Sequence, residues 1–290
     1  MRVRPDSLAV IGLGAVGRRL AQRWSQGGLR VSSYSPSAES RARARAAGLE
    51  VHDQLSKAVS GASTVVLCVR DNQLPGAIAQ LSNLEGQGPG PERVWLHTSG
   101  SRDSSVLAPL GGAVGVLHPL AAFAPGGPGP ELADAWCAVG GDEIARARAG
   151  DLVRALGAHA LELNQSQHSS ARYHAAATLL SNGMVALTAV ALDQARGACA
   201  DPEQARLALI ELLRSTLANL EVNTPARALT GVVSRADVET IGRHLLALAD
   251  QPESAELYRA LSRQMLALAV SDGRLSSAEA SAVERALSDR

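Results

Sequence analysis

One glycine pattern near the start of the sequence constrains the fold more than any other feature. It lies between a short apolar run, residues 8–11, and a stretch with helical periodicity, and it reads Gly12-Leu13-Gly14-Ala15-Val16-Gly17. In this pattern the first glycine permits a tight turn, the second lets the backbone approach a diphosphate, and the third lets helix and strand pack closely. The diphosphate then lies at the free N–H groups of the new helix. The pattern predicts a Rossmann-type dinucleotide site; a glycine-rich turn without a ligand is the alternative.

The second predicted strand, residues 29–34, indicates which dinucleotide is bound. No Asp or Glu follows it at the position where an NAD enzyme holds the ribose 2′-hydroxyl. Hydroxyl and guanidinium groups follow instead, namely Ser35, Ser37, Arg41, Arg43 and Arg45. We therefore predict NADP as cofactor, with Ser35, Ser37 and Arg41 as contacts to its 2′-phosphate. Alternate residues of a helix do not share one face, so at least one of the three arginines is expected to be solvated.

Composition excludes several classes of partner. The 290 residues include 28 basic and 28 acidic side chains, a balance that argues against nucleic acid or an anionic membrane as partner. The three cysteines are widely spaced and predict neither a disulfide framework nor a metal site. The N-terminus lacks the apolar core of a signal peptide, and no apolar run is expected to reach membrane-spanning length. A cytoplasmic protein is expected.

The first half of the chain alternates strand and helix patterns, as βαβ units with a parallel sheet do. Strands are predicted at 8–11, 29–34, 64–69, 94–97, 113–117, 137–139 and 158–163. From residue 165 onward only Ala- and Leu-rich helical patterns occur. We therefore predict a doubly wound Rossmann-type domain at 1–163 and an all-α domain for substrate binding and dimerisation at 164–290. A homodimer through the helical domain is expected.

Ligands of open α/β sheets lie beyond the carboxyl ends of the strands. Three predicted strand exits carry polar residues there: Val69-Arg70, His97-Thr98-Ser99 and His118-Pro119. Val69, Arg70 and Ser99 are predicted cofactor contacts. His118 is a candidate proton donor because an unperturbed imidazole pKa of about 6.5 suits that role. Both histidines can alternatively cap strand ends, and for His97 we favour that structural role.

The first helical pattern of the second domain carries a polar stripe. His174, Thr178, Ser181 and Asn182 are spaced i, i+4, i+7 and i+8 among small or apolar residues. Such a stripe on a buried helix needs partners, either a bound substrate or an interhelical hydrogen-bond network. We predict His174 and Asn182 as groups nearest the chemistry and Ser181 as a substrate contact. Arg235 can hold an anionic substrate by paired donors.

Taken together, these motifs resemble bacterial Rossmann-like proteins with a C-terminal helical domain of unknown function. That group is described as NADP oxidoreductases within the wider phosphogluconate dehydrogenase superfamily. The resemblance spans nearly the whole chain and rests on the glycine pattern and on residues 97–100, 118–123, 173–176, 181–182, 229–237 and 243–245. In that group, the segment that corresponds to residues 230–237 usually reads T-G-P-x-A-R-G-D. In this chain, Val232, Ser234 and Ala236 stand in place of its Pro, Ala and Gly.

The resemblance implies the fold and the cofactor. Our first hypothesis for the reaction is hydride transfer between NADP and a small, anionic carbonyl or imine compound. His118-Pro119 is also similar to prephenate dehydrogenases, and ketopantoate, pyrroline-carboxylate and imine reductases share the two-domain layout. An NADP-binding sensor or partner-binding protein without turnover is the alternative hypothesis. It is favoured by the changed residues in segment 230–237 and by the absence of a catalytic lysine from the first helix of the second domain.

Overall fold

The computed structural model describes residues 7–85, 93–123, 130–164, 166 and 168–288. Most of the Pro- and Gly-rich segment at 124–130, which the sequence predicts to be a loop, lies outside these residues. The chain forms two compact units, Met1–Gly183 and Met184–Arg290. The sequence-based boundary at 163 marks the end of the last strand, and the division between the compact units falls one helix later.

The first unit is built around an eight-stranded sheet. Its strands are β1 Ser7–Ile11, β2 Arg30–Tyr34, β3 Glu50–Val51, β4 Thr64–Leu67, β5 Val94–His97, β6 Ala113–Leu120, β7 Trp136–Gly141 and β8 His159–Glu162. Their order is β3-β2-β1-β4-β5-β6-β7-β8. The chain reverses its direction of travel across the sheet between β1 and β4, which is where such folds bind nucleotides. This confirms the predicted doubly wound class.

Two details of the sheet differ from the sequence-based expectation. β7 pairs with β6 in antiparallel fashion, whereas the other pairs are parallel. The described part of the connection from Leu120 to Trp136 contains no helix, and a parallel return would need such a crossover. β6 also runs on to Leu120, so His118 lies within the strand rather than after it. The prediction that the strand ends at residue 117 was wrong.

Helices cover both faces of this sheet. They are α1 Ala15–Gln26, α2 Ala38–Ala46, α3 Leu55–Val59, α4 Leu74–Glu85, a 3₁₀ helix Ser104–Leu110, and α5 Glu143–Ala155. One core joins α1 and α5 to the side chains of Val10, Leu96 and Leu117. The other joins α3, α4 and the 3₁₀ helix to the alternate residues, such as Ala9 and Trp95. Every residue from Val94 to His97 is buried, because helices cover both faces of the strand. Strands buried on both faces are continuous apolar runs rather than alternating ones.

Helices alone form the described part of the chain after β8. They are α6 Ser169–Leu180, α7 Asn182–Ala198, α8 Pro202–Val222, α9 Pro225–Ala228, a second 3₁₀ helix Val233–Arg235, α10 Val238–Ala247, α11 Pro252–Ser271 and α12 Ser277–Ser288. The residue types in the sequence predict the caps of two of them, and both caps are present. Asp201 accepts main-chain N–H bonds at the start of α8, and Ser276 and Glu279 cap each other before α12.

The long helices α7 and α8 differ from the rest in burying almost nothing. None of the residues of α7 is buried, and α8 buries only Ala205. Their exposed apolar side chains include Val185, Leu207, Leu212, Leu217 and Val222. Of the polar stripe, Thr178, Ser181 and Asn182 are exposed as well, so the expectation of a buried setting was wrong for most of its length.

One helical segment is long and apolar enough to cross a membrane by length and composition alone. It covers Ser169–Ala198, has a mean hydropathy of 1.7, and has none of its most apolar window buried. The expectation that no apolar run reaches this length was therefore wrong. Helices in the interior of soluble proteins can have the same length and composition.

The second 3₁₀ helix ends in an unfavourable backbone conformation. Ala236 has φ 51° and ψ 37°, in the left-handed region. There the Cβ of a non-glycine residue crowds the following carbonyl, at a cost of roughly 1–2 kcal/mol. The pattern that the sequence resembles has glycine at this position, and the alanine leaves the loop conformation strained.

We predict that Ala236→Gly raises the free energy of unfolding of the helical unit by about 0.5–1 kcal/mol. The removed crowding outweighs the extra entropy that glycine gives the unfolded chain. Urea denaturation followed by circular dichroism measures the change. The matched control is Ala260→Gly at an exposed position in the interior of α11, which should destabilise the unit by about 1 kcal/mol. Equal destabilisation by both variants would contradict the assignment of strain to Ala236.

Candidate functional site

The turn after β1 has the geometry expected of a dinucleotide loop. Gly12 has φ 102°, and its N–H donates to the Tyr34 carbonyl at 2.8 Å. A Cβ on Gly12 would lie 2.5 Å from the carbonyl oxygen of Cys68. A Cβ on Gly17 would lie 1.9 Å from the Gly12 carbonyl oxygen. Two of the three predicted glycine roles, the turn and the close packing of α1, are thus visible in the structure.

The start of α1 is suited to bind a diphosphate. Gly14 is the N-cap residue, the helix has no side-chain capping bond, and its first turn carries no acidic residue. A Cβ on Gly14 would meet nothing within 4 Å, so the space above it is open. Leu13 is buried beneath the turn, whereas Ala15 is exposed. The first-turn N–H groups of a helix without side-chain caps fit the phosphates of a dinucleotide.

Arg41 is held at the end of β2 by neighbouring oxygen atoms. Its Nη1 donates to the carbonyls of Ser35 at 2.7 Å and Pro36 at 3.0 Å, and its Nε pairs with Asp53 at 3.2 Å. Arg45 pairs with the same Asp53 carboxylate at 2.8 Å. Two guanidinium groups thus share one carboxylate, which leaves a net positive charge beside Ser35. Sequence reasoning missed Asp53.

The remaining residues of this region are divided between local roles. The Ser37 hydroxyl accepts a hydrogen bond from the Ser40 N–H as the cap of α2, so one of its lone pairs is already engaged. Ser35 itself is buried. Arg43 pairs with Glu39 on an exposed helix face, as expected for at least one of the three arginines. Arg41 is therefore the best placed of them.

The loop after β5 is fixed by His97. This buried ring accepts the Ser99 N–H at Nδ1, at 3.2 Å, and its Nε2 lies 3.3 Å from the Asp103 carbonyl. The two contacts together require the neutral ring with its proton on Nε2. Burial lowers its pKa, in agreement with that form. His97 thus has the structural role that the sequence analysis favoured.

Two neighbouring loops meet beside Ser99, one of the predicted cofactor contacts. The buried Ser99 hydroxyl accepts the Arg102 N–H at 3.2 Å, and Ser101 donates to Asp71 at 2.7 Å. Burial opposes ionisation of Asp71, but hydrogen bonds from Ser101 and Ser99 more than offset this and lower its pKa. Before Asp71, Val69 is half-buried and Arg70 is exposed, so both precede the turn into α4.

A cluster of three aromatic side chains surrounds Gly100. His118 Nδ1 lies 3.1 Å from the Tyr173 hydroxyl, and its ring meets those of Tyr173 and His174 edge to face at 5.7 and 5.6 Å. A Cβ on Gly100 would lie 2.6 Å from His174 Nδ1 and 2.9 Å from His118 Nε2. Only glycine lets the two imidazoles approach the loop this closely. We call these three side chains the His118 cluster.

The electrostatics of the cluster favour neutral groups. Burial, with a further contribution from His174, lowers the pKa of His118 to about 4. Burial raises the pKa of Tyr173 to about 12. His174 Nδ1 is buried and has no hydrogen-bond partner among the described residues. At neutral pH the cluster therefore offers a neutral imidazole, a phenol and an unpaired ring nitrogen. The unperturbed pKa assumed for His118 was wrong.

The other predicted site residues are not members of this cluster. Helix α6 ends at Leu180, so Ser181 and Asn182 lie at its junction with α7, and both are exposed together with Thr178. Arg235 lies in the second compact unit, at the end of a 3₁₀ helix. The substrate roles of Ser181, Asn182 and Arg235 stay predictions.

Tyr173 of the His118 cluster and the neighbouring Gly100 were absent from the sequence-based site. The signal for Tyr173 was its place next to His174, at the start of the same helix. Gly100 follows the β5 exit directly, where a glycine predicts close approach of another group. Neither signal specifies the partner, because the partner comes from β6.

Two family models match the chain in succession. Residues 7–102 match the NAD binding domain of 6-phosphogluconate dehydrogenase, and residues 135–265 match a domain of unknown function, DUF2520. The chain joins these two domains. Its N-terminal domain is thus an NAD(P)-binding domain, which agrees with the glycine loop. No curated protein shows significant sequence similarity to the chain.

Solved structures share this two-domain fold. "Putative NADP oxidoreductase BF3122" from Bacteroides fragilis is 22% identical, with a TM-score of 0.71 over 90% of this chain and 97% of that one. TM1727 from Thermotoga maritima is 20% identical, with a TM-score of 0.66 over 91% and 99%. A reductive aminase from Aspergillus terreus, in complex with NADPH and ethyl-5-oxohexanoate, is 16% identical, with a TM-score of 0.66 over 97% and 99%. At these identities the likeness shows the fold alone.

We predict that the His118 ring stays neutral down to about pH 4. Its pKa is lower in the folded chain than in the unfolded chain, where it is about 6.5. The neutral ring therefore stabilises the fold above pH 6.5, and that stabilisation is lost as the pH falls from 6.5 towards 4. Titration of the histidine ring signals by NMR measures the pKa directly.

The ring signals are assigned by their loss in His118→Gln. Tyr173→Phe serves as the control, because it removes the hydrogen bond but leaves the ring buried, so the low pKa should persist. A His118 transition between pH 6 and 7 would contradict the burial of the cluster.

Proposed function

We propose that the protein is an NADP-dependent oxidoreductase that transfers hydride to or from a small, anionic carbonyl or imine compound. The observation that carries this proposal is the glycine loop. Gly12 and Gly17 admit no side chain, and Gly14 leaves the start of α1 open. The His118 cluster lies at the same carboxyl edge of the sheet, where the reactive end of a dinucleotide is expected.

The choice of NADP over NAD rests on charge. Arg41 and Arg45 share the single carboxylate of Asp53 beside the end of β2. A 2′-phosphate adds negative charge where this region has a positive excess, and guanidinium groups bind phosphate by paired donors. The three free cysteines also suit a reducing, cytoplasmic compartment, where NADPH is available.

The bound cofactor supplies or accepts the hydride, and the chain supplies the polar groups around the reacting carbon. Because its pKa is about 12, Tyr173 keeps its hydroxyl proton at neutral pH and can donate a hydrogen bond to a carbonyl oxygen or an imine nitrogen. The neutral His118 ring orients that hydroxyl across the 3.1 Å contact. His174 Nδ1 is free to bind the substrate, and Ser181, Asn182 and Arg235 are proposed to orient it.

Structural relatives support the carbonyl and imine classes. The reductive aminase with a similar fold was solved with NADPH and a keto ester. Arg235 is the one residue that supports an anionic group on the substrate. The assignment to the carbonyl or imine class does not depend on that residue.

Cofactor binding tests the proposal first, by titration of the protein with NADPH and NADH while nicotinamide fluorescence is followed. We predict tight binding of NADPH and much weaker binding of NADH. Arg41→Ala should weaken NADPH binding about ten-fold, through loss of a charge-assisted contact worth about 1.4 kcal/mol, and leave NADH unchanged. Gly14→Ala should weaken both cofactors without lowering the melting temperature, because its Cβ meets no protein atom.

Turnover is then measured with ketones, keto acids and cyclic imines. His174→Ala should abolish turnover while NADPH binds as before. Equal affinity for the two cofactors would overturn the NADP assignment. Binding of neither would overturn the oxidoreductase proposal, and binding without turnover of any substrate would favour a sensor.

We also propose that a second copy of the chain covers α7 and α8. These helices have 17 and 21 residues and bury only Ala205 between them. Among their leucines, Leu207, Leu212 and Leu217 are each more than half exposed. Exposed apolar area of this extent is typical of an interface, and two-fold dimers are the commonest assembly.

We predict a dimer by sedimentation at micromolar concentration. Leu212→Asp should shift it to the monomer, because a charge would be buried in the interface. Leu246→Asp is the matched control: this leucine is 77% exposed and belongs to α10 rather than to α7 or α8, so its variant should stay dimeric. A monomeric wild type would rule the proposal out.

A further inference from the structure

Asp71 is a carboxylate near the reactive edge of the sheet that has no role in the proposed mechanism. It lies in the turn between β4 and α4 and is half-buried. The Ser101 hydroxyl donates to its Oδ2 at 2.7 Å. Burial raises the pKa of this carboxyl, but hydrogen bonds from Ser101 and Ser99 outweigh burial. The group is therefore ionised at neutral pH and is held in a fixed position.

Ser101 connects this carboxylate to the His118 cluster. It directly follows Gly100, at which a Cβ would lie 2.6 Å from His174 Nδ1 and 2.9 Å from His118 Nε2. The Asp71 carboxylate is thus one hydrogen bond and one residue away from the backbone that both imidazoles approach. Its charge acts on both rings. It interacts with His174, and it opposes the effect of burial, which lowers the pKa of His118.

No ion pair compensates the charge of Asp71 in the described part of the chain. Arg70 precedes it and Arg102 follows the Ser101 contact, yet neither guanidinium pairs with it, and Arg102 adds only a weaker charge interaction. The exposed Arg102 side chain lines a cleft between α4 and the first 3₁₀ helix, and no member of the His118 cluster lines that cleft. The cluster therefore lies beside one fixed negative charge.

The unpaired nitrogen of His174 indicates that a ligand group binds beside this charge. His174 Nδ1 is buried without a hydrogen-bond partner among the described residues, which is costly unless a ligand supplies the partner. If the carbon of a carbonyl or imine group reacts there, a carboxylate bonded directly to that carbon is brought towards Asp71. Two like charges in a partly buried site repel each other because little solvent screens them.

We propose that Asp71 is a specificity-determining residue whose carboxylate excludes substrates with a carboxylate bonded to the reacting carbon. 2-Oxo acids and their imines are thereby disfavoured. The anionic group of the proposed substrate is attached further along the molecule, where Arg235 would hold it. The assignment to a substrate rests on the proposed oxidoreductase function, whereas the selection by charge is a property of binding alone.

Three carbonyl compounds test this selection: pyruvate, its neutral amide pyruvamide, and 4-oxopentanoate, in which two methylene groups separate the carboxylate from the carbonyl. Each is titrated into isotopically labelled protein, with and without NADPH, and the ring signals of His118 and His174 are followed by NMR. We expect saturable shifts with pyruvamide and 4-oxopentanoate. The affinity for pyruvate should be about ten-fold weaker than that for pyruvamide, because of charge repulsion.

Asp71→Asn isolates the charge, because the amide oxygen can still accept a hydrogen bond from the Ser101 hydroxyl. It should raise the affinity for pyruvate until the two affinities agree within about two-fold. Ser101→Ala keeps the carboxylate and should keep a preference for pyruvamide of about five-fold. Asp103→Asn is the matched control. This exposed carboxylate belongs to the same loop but does not act on His118, so the ratio of affinities should stay as in the wild type.

Equal affinities for pyruvate and pyruvamide in the wild type would overturn the proposal, as would an unchanged ratio in Asp71→Asn. Absence of ring shifts with all three probes would also overturn it, since the cluster would then bind no carbonyl compound. NADPH titration of the same samples separates the two proposals. Discrimination against pyruvate without NADPH binding would refute the oxidoreductase function alone, and NADPH binding without discrimination would refute the selection by Asp71 alone.

Discussion

The close approach of α1 to the strands beneath it is the constraint on which the rest of the first unit depends. With no Cβ at Gly17 or Gly12, the helix lies directly against the β1 turn and Cys68. A side chain at either position would push the helix away and move its N–H groups from the carboxyl edge of the sheet. The fixed position of α1 determines where a diphosphate can bind, and so where a nicotinamide can reach.

A second set of contacts builds the reactive edge from three separate segments. His97 holds the loop after β5, and that loop presents Gly100 to the rings of His118 and His174. The partners lie far apart in sequence, since Tyr173 follows His118 by 55 positions. Each segment is secured by main-chain or buried contacts of its own. The cluster is therefore a product of tertiary structure rather than of any local motif.

The sequence predicted the parts of the molecule that local chemistry controls. Helix α1 begins directly after Gly14 of the glycine pattern, and the caps at Asp201 and Ser276 follow from residue type. The antiparallel return of β7 and the low pKa of His118 could not be predicted in this way. The first depends on a connection without a crossover helix in its described part. The second depends on burial by rings that come from another element. Tyr173 was missed for the same reason.

The antiparallel strand β7 has a consequence for how such a protein can change. Because α5 returns on the face shared with α1, the opposite face of β6 packs against a shorter element, the 3₁₀ helix Ser104–Leu110. That helix buries Leu107 and Leu110 beside Val114, whereas α5 buries five residues on its own face. Substitutions that face the 3₁₀ helix therefore disturb less of the buried core than substitutions that face α5. This end of the sheet can vary in sequence while the glycine loop and the buried strands keep the fold.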